Sequence, residues 1–164
     1  MDRQQIGVKL VMDDLGLGLS METFEDRVVL QKALYLAQAA GLRLGYHFRW
    51  DLRGPYCPAL ANDGYAIAEE IQDGQDETEQ WQFDSGSREL LGNIRSLIPA
   101  SGSRDQILEE LELFASIHFL VSREQASADD PEQVIETLRR FQKNYTEEQV
   151  RQTIATLKRN GLLV

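Results

Sequence analysis

Residues 22–40 predict a helix that is apolar around most of its circumference. Acidic residues occupy its first turn, where they complement the helix dipole, and Gly41 stands just past its end. Polar side chains interrupt the apolar surface along a narrow stripe at Gln31, Lys32 and Gln38. A helix with this pattern must be covered by other elements on nearly every side. We therefore expect 22–40 to be the central core helix of the fold.

A strict alternation of apolar and polar or small residues follows over residues 44–53. The apolar set is Leu44, Tyr46, Phe48, Trp50 and Leu52. This period of two predicts a half-buried strand, with Phe48 and Trp50 buried and with His47, Arg49 and Arg53 exposed. Gly54-Pro55 should end the strand, because proline has no N–H for a ladder and glycine favours a turn.

The second strand-like run is 80–84, where Trp81 and Phe83 alternate with polar residues. An isolated strand has no ladder partner, so we expect 80–84 to pair with 44–53. The two would form a small two-stranded antiparallel β element against the central helix. The acidic residues between them, 73–80, predict an exposed loop.

The rest of the chain predicts helices, several of which begin at a recognisable cap. Ser103, Asp130-Pro131 and the Thr146/Gln149 pair are typical of helix starts. The expected ranges are 2–15, 59–72, 86–98, 104–124, 131–141 and 147–160. We expect a mainly α fold in a single domain, 1–164, with a core part over 1–99 and a C-terminal helical part of the same unit over 103–164.

Length and composition restrict the class of protein. A chain of 164 residues can bury a sizeable core, and its single cysteine excludes a disulfide within the chain. The formal charge of −10 disfavours broad non-specific binding to nucleic acid. No apolar run approaches the roughly 18 residues that span a bilayer, and the first residues do not resemble a secretory signal. We expect a cytoplasmic protein that does not enter a membrane.

The sequence offers no catalytic constellation and no metal or cofactor motif. No P-loop, GxGxxG, GxSxG or HExxH pattern occurs. His118 lies on the apolar stripe of its helix and is expected to be a core histidine with satisfied hydrogen bonds. Cys57 has no base near it in sequence, as a nucleophile would need. We expect no catalytic residue, no metal and no cofactor. The acidic side chains of 104–124 are interpreted as a solvated helix edge: Glu109, Glu110 and Glu112.

The candidate binding region is basic within an acidic chain. Five Lys or Arg residues and one acid, Asp51, lie from Arg27 to Arg53. Such a region could hold a phosphate, a nucleic-acid backbone or an acidic protein surface, or it could be a solvated strand face. The Gly-Pro turn would present Arg53 and Tyr56 from a rigid corner; alternatively, it only shapes the turn, and Tyr56 packs into the core. The partner-binding candidates are His47, Arg49, Arg53, Gly54, Pro55 and Tyr56.

Several motifs accumulate in a fixed order. They are Leu30-Gln31-Lys32-Ala33-Leu34-Tyr35-Leu36, then Gly41, Gly45-Tyr46 and Arg53-Gly54-Pro55-Tyr56. With 111–120 and 145–161 they resemble the YwgA-like bacterial proteins over most of the chain. Over about residues 24–70 the chain is more distantly similar to the Panacea, or SocA-like, antitoxin domain.

This resemblance implies a mainly helical domain that acts by binding protein. Panacea antitoxins neutralise toxins by direct contact, and a SocA-like member acts as a proteolytic adaptor. Our leading hypothesis is therefore a non-enzymatic protein-binding module, antitoxin-like or an adaptor, in a stress or phage-defence locus, with a toxin or effector as its partner. The alternative is a nucleic-acid or nucleotide binding protein that uses the basic region 27–53.

Overall fold

The fold is mainly helical, with one small antiparallel β hairpin. The computed structural model describes residues 1–99 and 101–164. Over these residues it contains seven α-helices, two strands and a 3-10 helix at Glu77–Gln80. The helices are α1 (Arg3–Asp14), α2 (Phe24–Ala39), α3 (Pro58–Gln72), α4 (Ser85–Arg95), α5 (Arg104–Ser122), α6 (Pro131–Arg140) and α7 (Glu147–Arg159), and the strands are β1 (Arg49–Asp51) and β2 (Gly54–Tyr56). The predicted fold class is confirmed.

Helix α2 lies at the centre, as its apolar circumference predicts. It contacts α1, α3, α4 and α5 as well as β2, and its residues from Val28 to Ala37 are all buried. Helix α5 covers one side of α2, and α7 packs in turn on α5 and α6. One cluster of buried apolar side chains extends from Val8 in α1 to Leu162 after α7. The hairpin therefore sits on a rigid base of packed helices.

The predicted helix starts are confirmed. Ser103 and Thr146 each form a capping box with the residue three positions later. Asp130 accepts a hydrogen bond from the backbone N–H of Gln133, and Pro131 occupies the first helical position. Such caps satisfy backbone N–H groups that have no partner within the helix. Local sequence therefore fixes these boundaries.

The predicted pairing of 44–53 with 80–84 is wrong. Strand β1 pairs with β2 in a tight hairpin, with Arg49 opposite Tyr56 and Asp51 opposite Gly54. The turn is two residues earlier than predicted, at Leu52-Arg53, and Gly54-Pro55 begins the second strand instead of ending the first. Pro55 fits there because both strands of a two-stranded sheet are edge strands, where proline is tolerated.

The alternation over 44–53 nevertheless predicts burial well up to the hairpin. Tyr46 and Phe48 are buried and His47 is exposed, although this part of the segment has no regular secondary structure and no ladder partner. Trp50, predicted as buried, is only half-buried and contacts the rings of Phe119 and Phe141. Leu52, which belongs to the apolar set, is 88% exposed because it lies at the hairpin turn.

Residues 80–84 form no strand. The segment leaves the 3-10 helix as irregular chain, and the Trp81 side chain is 58% exposed. The preceding acidic residues 73–76 are mostly exposed, as predicted, but Thr78 in the 3-10 helix is buried. Two aromatic residues at alternate positions thus do not make a strand when neither strand of the hairpin pairs with them.

Across the part of the chain that the structure describes, no helix has both the length and the apolar character needed to cross a membrane.

Candidate functional site

Polar side chains of α2 hold the backbone of the hairpin segment. The Gln38 amide donates to the carbonyl oxygen of Tyr46 and accepts from its N–H, both at 2.9 Å. The Gln31 amide makes the same pair of bonds with the backbone of Cys57, at 2.9 and 2.8 Å. The Lys32 Nζ donates to the carbonyl oxygen of Pro55 at 2.7 Å. Gln31 and Lys32 are buried and Gln38 is partly buried, and together the three side chains anchor the segment 46–57 to α2 at both of its ends.

Gly54 seats the hairpin against helix α5. Its φ of +95° is a conformation that other residues adopt only with strain. A Cβ at this position would lie 2.5 Å from the Oγ of Ser116 and 3.6 Å from the Nζ of Lys32. Glycine is therefore required both by the backbone angle and by the close approach of α5.

Arg53 is partly buried in an ion pair, where the alternation predicted exposure. Its Nε donates to the Oε1 of Glu112 at 2.7 Å, and its guanidinium stacks 5.3 Å from the centre of the Phe24 ring. The Nζ of Lys143 lies 3.6 Å from the same carboxylate oxygen. We call Arg53, Glu112 and Lys143 the ionic cluster.

The ionic cluster corrects the interpretation of Glu112 as part of a solvated helix edge. Glu109 and Glu110 are exposed as expected, but Glu112 is 7% exposed. A carboxylate is stable at such a position only where cations and hydrogen bonds replace its lost hydration. Both cations come from residues far away in sequence, so helical periodicity could not identify this position.

A cavity of about 360 Å³ opens between the hairpin, the start of α2 and helix α3. We call it the hairpin cavity. Apolar side chains dominate its walls, and three of them are well exposed: Phe24 at 48%, Leu52 at 88% and Tyr65 at 52%. Lys32 lines the cavity too and is buried at 1% exposure. The cavity therefore combines an exposed apolar rim with a buried amine.

The structure gathers half of the predicted site residues at this cavity. Arg53, Gly54 and Tyr56 all line it, whereas Pro55 is buried and contributes its carbonyl oxygen to Lys32. His47 and Arg49 instead line a separate depression. That depression also includes Arg123, whose guanidinium lies over the Phe119 ring, and Tyr35, Gln38 and His118.

The basic region 27–53 is divided by the fold. Arg27, Lys32 and Arg53 line the hairpin cavity, and Arg49 lies in the other depression. Arg27 also donates to the carbonyl oxygens of Met21 and Glu22, at 3.0 and 3.4 Å. The region is thus not one continuous charged strand face.

The buried position of Lys32 disfavours its charge. Desolvation lowers the pKa of its amine to about 7, against the attraction of Glu112 and with added repulsion from Lys143 and Arg53. Among the described residues, no carboxylate lies within 4 Å of its Nζ. Lys32 therefore resembles a cation whose counter-ion is missing.

His118 is a core histidine, as predicted. Its Nε2 lies 3.1 Å from the carbonyl oxygen of Leu162, which can only accept, so Nε2 carries the proton. Its Nδ1 then accepts from the Tyr35 hydroxyl at 2.7 Å. Burial lowers the pKa of the imidazole, because the charged form loses hydration. Because both nitrogens are engaged, the ring connects α2 to the chain after α7 and has no free lone pair for a substrate.

The remaining candidate nucleophile is Cys57. Cys57 is buried at the N-terminus of α3, where Gln31 binds its backbone. Among residues 1–99 and 101–164, no group of three or more His, Cys, Asp or Glu side chains is placed to hold a metal ion.

Sequence reasoning missed the roles of Gln31, Lys32 and Gln38. The signal was present, because three polar residues on a helix that is otherwise buried must find partners inside the protein. Gln31 and Gln38 are seven residues apart and so lie on one face, two turns from each other. The exposed aromatic rim of Phe24 and Tyr65 gave no such signal, since both fit the apolar pattern of a core-facing helix.

No protein-family model, no curated protein and no solved structure matches this chain.

Proposed function

We propose that this protein is a non-enzymatic binding module that docks a protein partner on the hairpin cavity. The observation that carries the proposal is the set of three exposed apolar side chains around one pre-formed cavity. Phe24, Leu52 and Tyr65 together present apolar surface that folding leaves in water. Clustered exposed apolar residues beside a cavity are typical of protein interaction sites.

The contacts that hold the hairpin in place support the proposal. The hairpin is fixed to α2 by Gln31 and Lys32 and seated on α5 through Gly54. A partner that docks here would not need to order the hairpin, which lowers the entropic cost of binding. Arg53 and Tyr56, residue types enriched in binding hot spots, line the same cavity.

The resemblance to YwgA-like and Panacea proteins supports the class of partner. Those families imply action by direct contact, so we propose a toxin or an effector as the partner. The protein would then be antitoxin-like or an adaptor, acting in the cytoplasm. Neither role needs a catalytic residue.

A Tyr65→Ser variant tests the proposed function. A partner is first captured from cells of the source organism with the wild-type protein, and its direct binding is then measured with purified proteins. Loss of a half-exposed aromatic at the rim should weaken binding by more than tenfold, equivalent to about 1.4 kcal/mol or more. The fold should be unaffected, because this ring is 52% exposed.

Trp81→Ser is the matched control. Trp81 is similarly exposed but lies in a separate depression with Leu10 and Phe83. The proposal is rejected if both variants bind equally, or if wild type and Tyr65→Ser capture the same proteins. Arg53 is left in place because its removal would also break the ion pair with Glu112.

The alternative, a nucleic-acid or nucleotide binding protein, has one supporting observation. His47 and Arg49 are exposed and line a depression together with Arg123. Binding there would weaken steeply with added salt, because cations released from phosphates drive such binding. An Arg49→Ala variant that binds nucleic acid as the wild type does, or an affinity independent of salt, rejects it.

A further inference from the structure

The Lys32 amine has unused hydrogen-bonding capacity at the wall of an apolar cavity. An ammonium group has three N–H donors, and the side chain is 1% exposed. Within the described part of the chain its one hydrogen bond goes to the carbonyl oxygen of Pro55, at 2.7 Å. The charged form of a buried amine with a single neutral partner is poorly compensated for the hydration it has lost.

The neighbouring charges do not supply the missing anion. Glu112 attracts the amine but is itself engaged by Arg53 at 2.7 Å and by Lys143 at 3.6 Å. Asp51 lines the cavity, but its Oδ1 accepts from the backbone N–H of Leu52. Neither carboxylate lies within 4 Å of the Lys32 Nζ in the described residues.

The balance of charge at the cavity is opposite to that of the chain. Arg27, Lys32 and Arg53 line the cavity against the single acid Asp51, whereas the whole chain carries −10. The walls between these groups are apolar. This combination suits a ligand that has an apolar body and one negative charge.

We propose that the hairpin cavity receives an aromatic or branched aliphatic side chain from the partner, and that Lys32 binds the carboxylate of an Asp or Glu beside it. The identification of the ligand as a protein segment rests on the proposed function. The chemistry itself, an apolar group next to a carboxylate, rests on the cavity. Binding supplies Lys32 with its missing counter-ion, and the partner's carboxylate exchanges water for a buried cation.

Small probes test the chemistry without a known partner. The sodium salt of 3-phenylpropionic acid carries an aromatic ring and a carboxylate, and 3-phenylpropionamide has the same shape without the charge. We expect the acid to bind the wild-type protein at least about tenfold more tightly than the amide, measured by NMR titration at pH 7. Lys32→Met should bind both probes equally.

Lys158→Met is the matched control, because Lys158 is a partly exposed lysine of α7 that does not line the cavity. It should keep the full preference for the acid. Equal binding of acid and amide to the wild type overturns the proposal, and so does a preference that survives in Lys32→Met.

A measurement on the wild-type protein covers the case in which Lys32→Met does not fold. The pKa of the Lys32 amine is followed by NMR of its Nζ, without ligand and with each probe. The carboxylate should raise this pKa, since an adjacent anion favours the charged amine, and the amide should leave it unchanged or lower it. A pKa that the acid does not raise overturns the proposal.

The two proposals fail in different ways. If a captured partner needs Tyr65 but binds Lys32→Met normally, the proposed function stands and the carboxylate recognition fails. If the wild type prefers the acid through Lys32 but Tyr65→Ser binds every captured protein normally, the cavity chemistry stands and the proposed function fails.

Discussion

Two buried ionisable side chains lie on either side of the hairpin turn, and their surroundings differ. On one side Glu112 contacts two cations, Arg53 and Lys143, within the ionic cluster. On the other side Lys32 contacts a neutral carbonyl group and lines the hairpin cavity. Both side chains are less than a tenth exposed.

The difference shows which buried ionisable group is compensated within the chain and which is not. Charges buried in water-poor surroundings need opposite charges or several hydrogen bonds. The ionic cluster satisfies that need within the chain, so it acts as structure. Lys32 has neither an opposite charge in contact nor several hydrogen bonds within the described residues. It also lines a cavity that a group from outside the chain can enter. A buried charge is thus evidence for a binding site only where its compensation is incomplete.

The largest expected effect on stability comes from disrupting the ionic cluster. Glu112→Gln removes the anion and leaves Arg53 and Lys143 close together without it. We expect the free energy of unfolding, measured by urea denaturation, to fall by about 3 kcal/mol. Glu109→Gln on the exposed face of the same helix should change it by less than about 0.5 kcal/mol. Equal effects of the two variants would show that the ionic cluster contributes nothing to stability.

A smaller effect on stability is expected from displacing the hairpin, whose turn lies between the ionic cluster and Lys32. Gly54→Ala combines backbone strain at a φ of +95° with a Cβ placed 2.5 Å from the Ser116 Oγ. We expect a loss of about 2 kcal/mol in the free energy of unfolding. Gly74→Ala, at a φ of +76° with open space around it, should cost only the strain.

The clash at Gly54 can be separated from the strain by a second substitution. Ser116→Ala removes the Oγ, so part of the loss in Gly54→Ala should be recovered in the double variant. Strictly additive effects of the two substitutions would mean that the hairpin is not seated on α5 at this point.

The smallest change in stability, when it is expressed for a single pH unit, is expected from the titration of Lys32. The pKa of Lys32 is lowered to about 7 in the folded protein, whereas an unfolded lysine titrates near 10.5. Between these values the unfolded chain holds a proton that the folded protein has released. The free energy of unfolding should therefore rise with pH, by up to ~1.4 kcal/mol per pH unit for this one group.

Lys32→Met should flatten this rise between pH 7.5 and 9.5, and Lys158→Met should not. A part of the slope will remain, because burial also lowers the pKa of Lys143. Above pH 10 the sign reverses, since burial raises the pKa of Tyr35 and of Tyr145 to about 12, and unfolded tyrosines ionise first. A wild-type slope as flat as that of Lys32→Met would show that Lys32 is not desolvated.

The helices and the capped starts of three of them could be predicted from sequence because their causes are local, whereas the predicted helices 86–98 and 104–124 end earlier, at Arg95 and Ser122. The capping residues Ser103, Asp130 and Thr146 act within three positions of themselves. The apolar circumference of α2 predicts its central position, because other elements must cover the helix on nearly every side. Alternation over 44–53 likewise predicts the burial of Tyr46 and Phe48, since it follows from chain geometry alone.

Strand pairing could not be predicted in the same way. The partner of β1 is the adjacent segment, although its Gly54-Pro55 start is typical of a turn. Trp81 and Phe83 repeat the pattern of a strand, yet no edge of the hairpin reaches them. A period of two reports which side chains face the core, and it does not report where the backbone finds its hydrogen bonds.

The sequence by itself determined the helical fold class, the central position of α2, the capped starts of α5, α6 and α7, and the core position of His118. Tertiary structure alone decided the site. It brought Arg53, Gly54 and Tyr56 to one cavity, sent His47 and Arg49 to another, and buried Lys32 without a carboxylate within 4 Å among the residues described. The physical reason is distance along the sequence. Caps and periodicity act over a few residues, whereas compensation of a buried charge depends on side chains that only folding brings together.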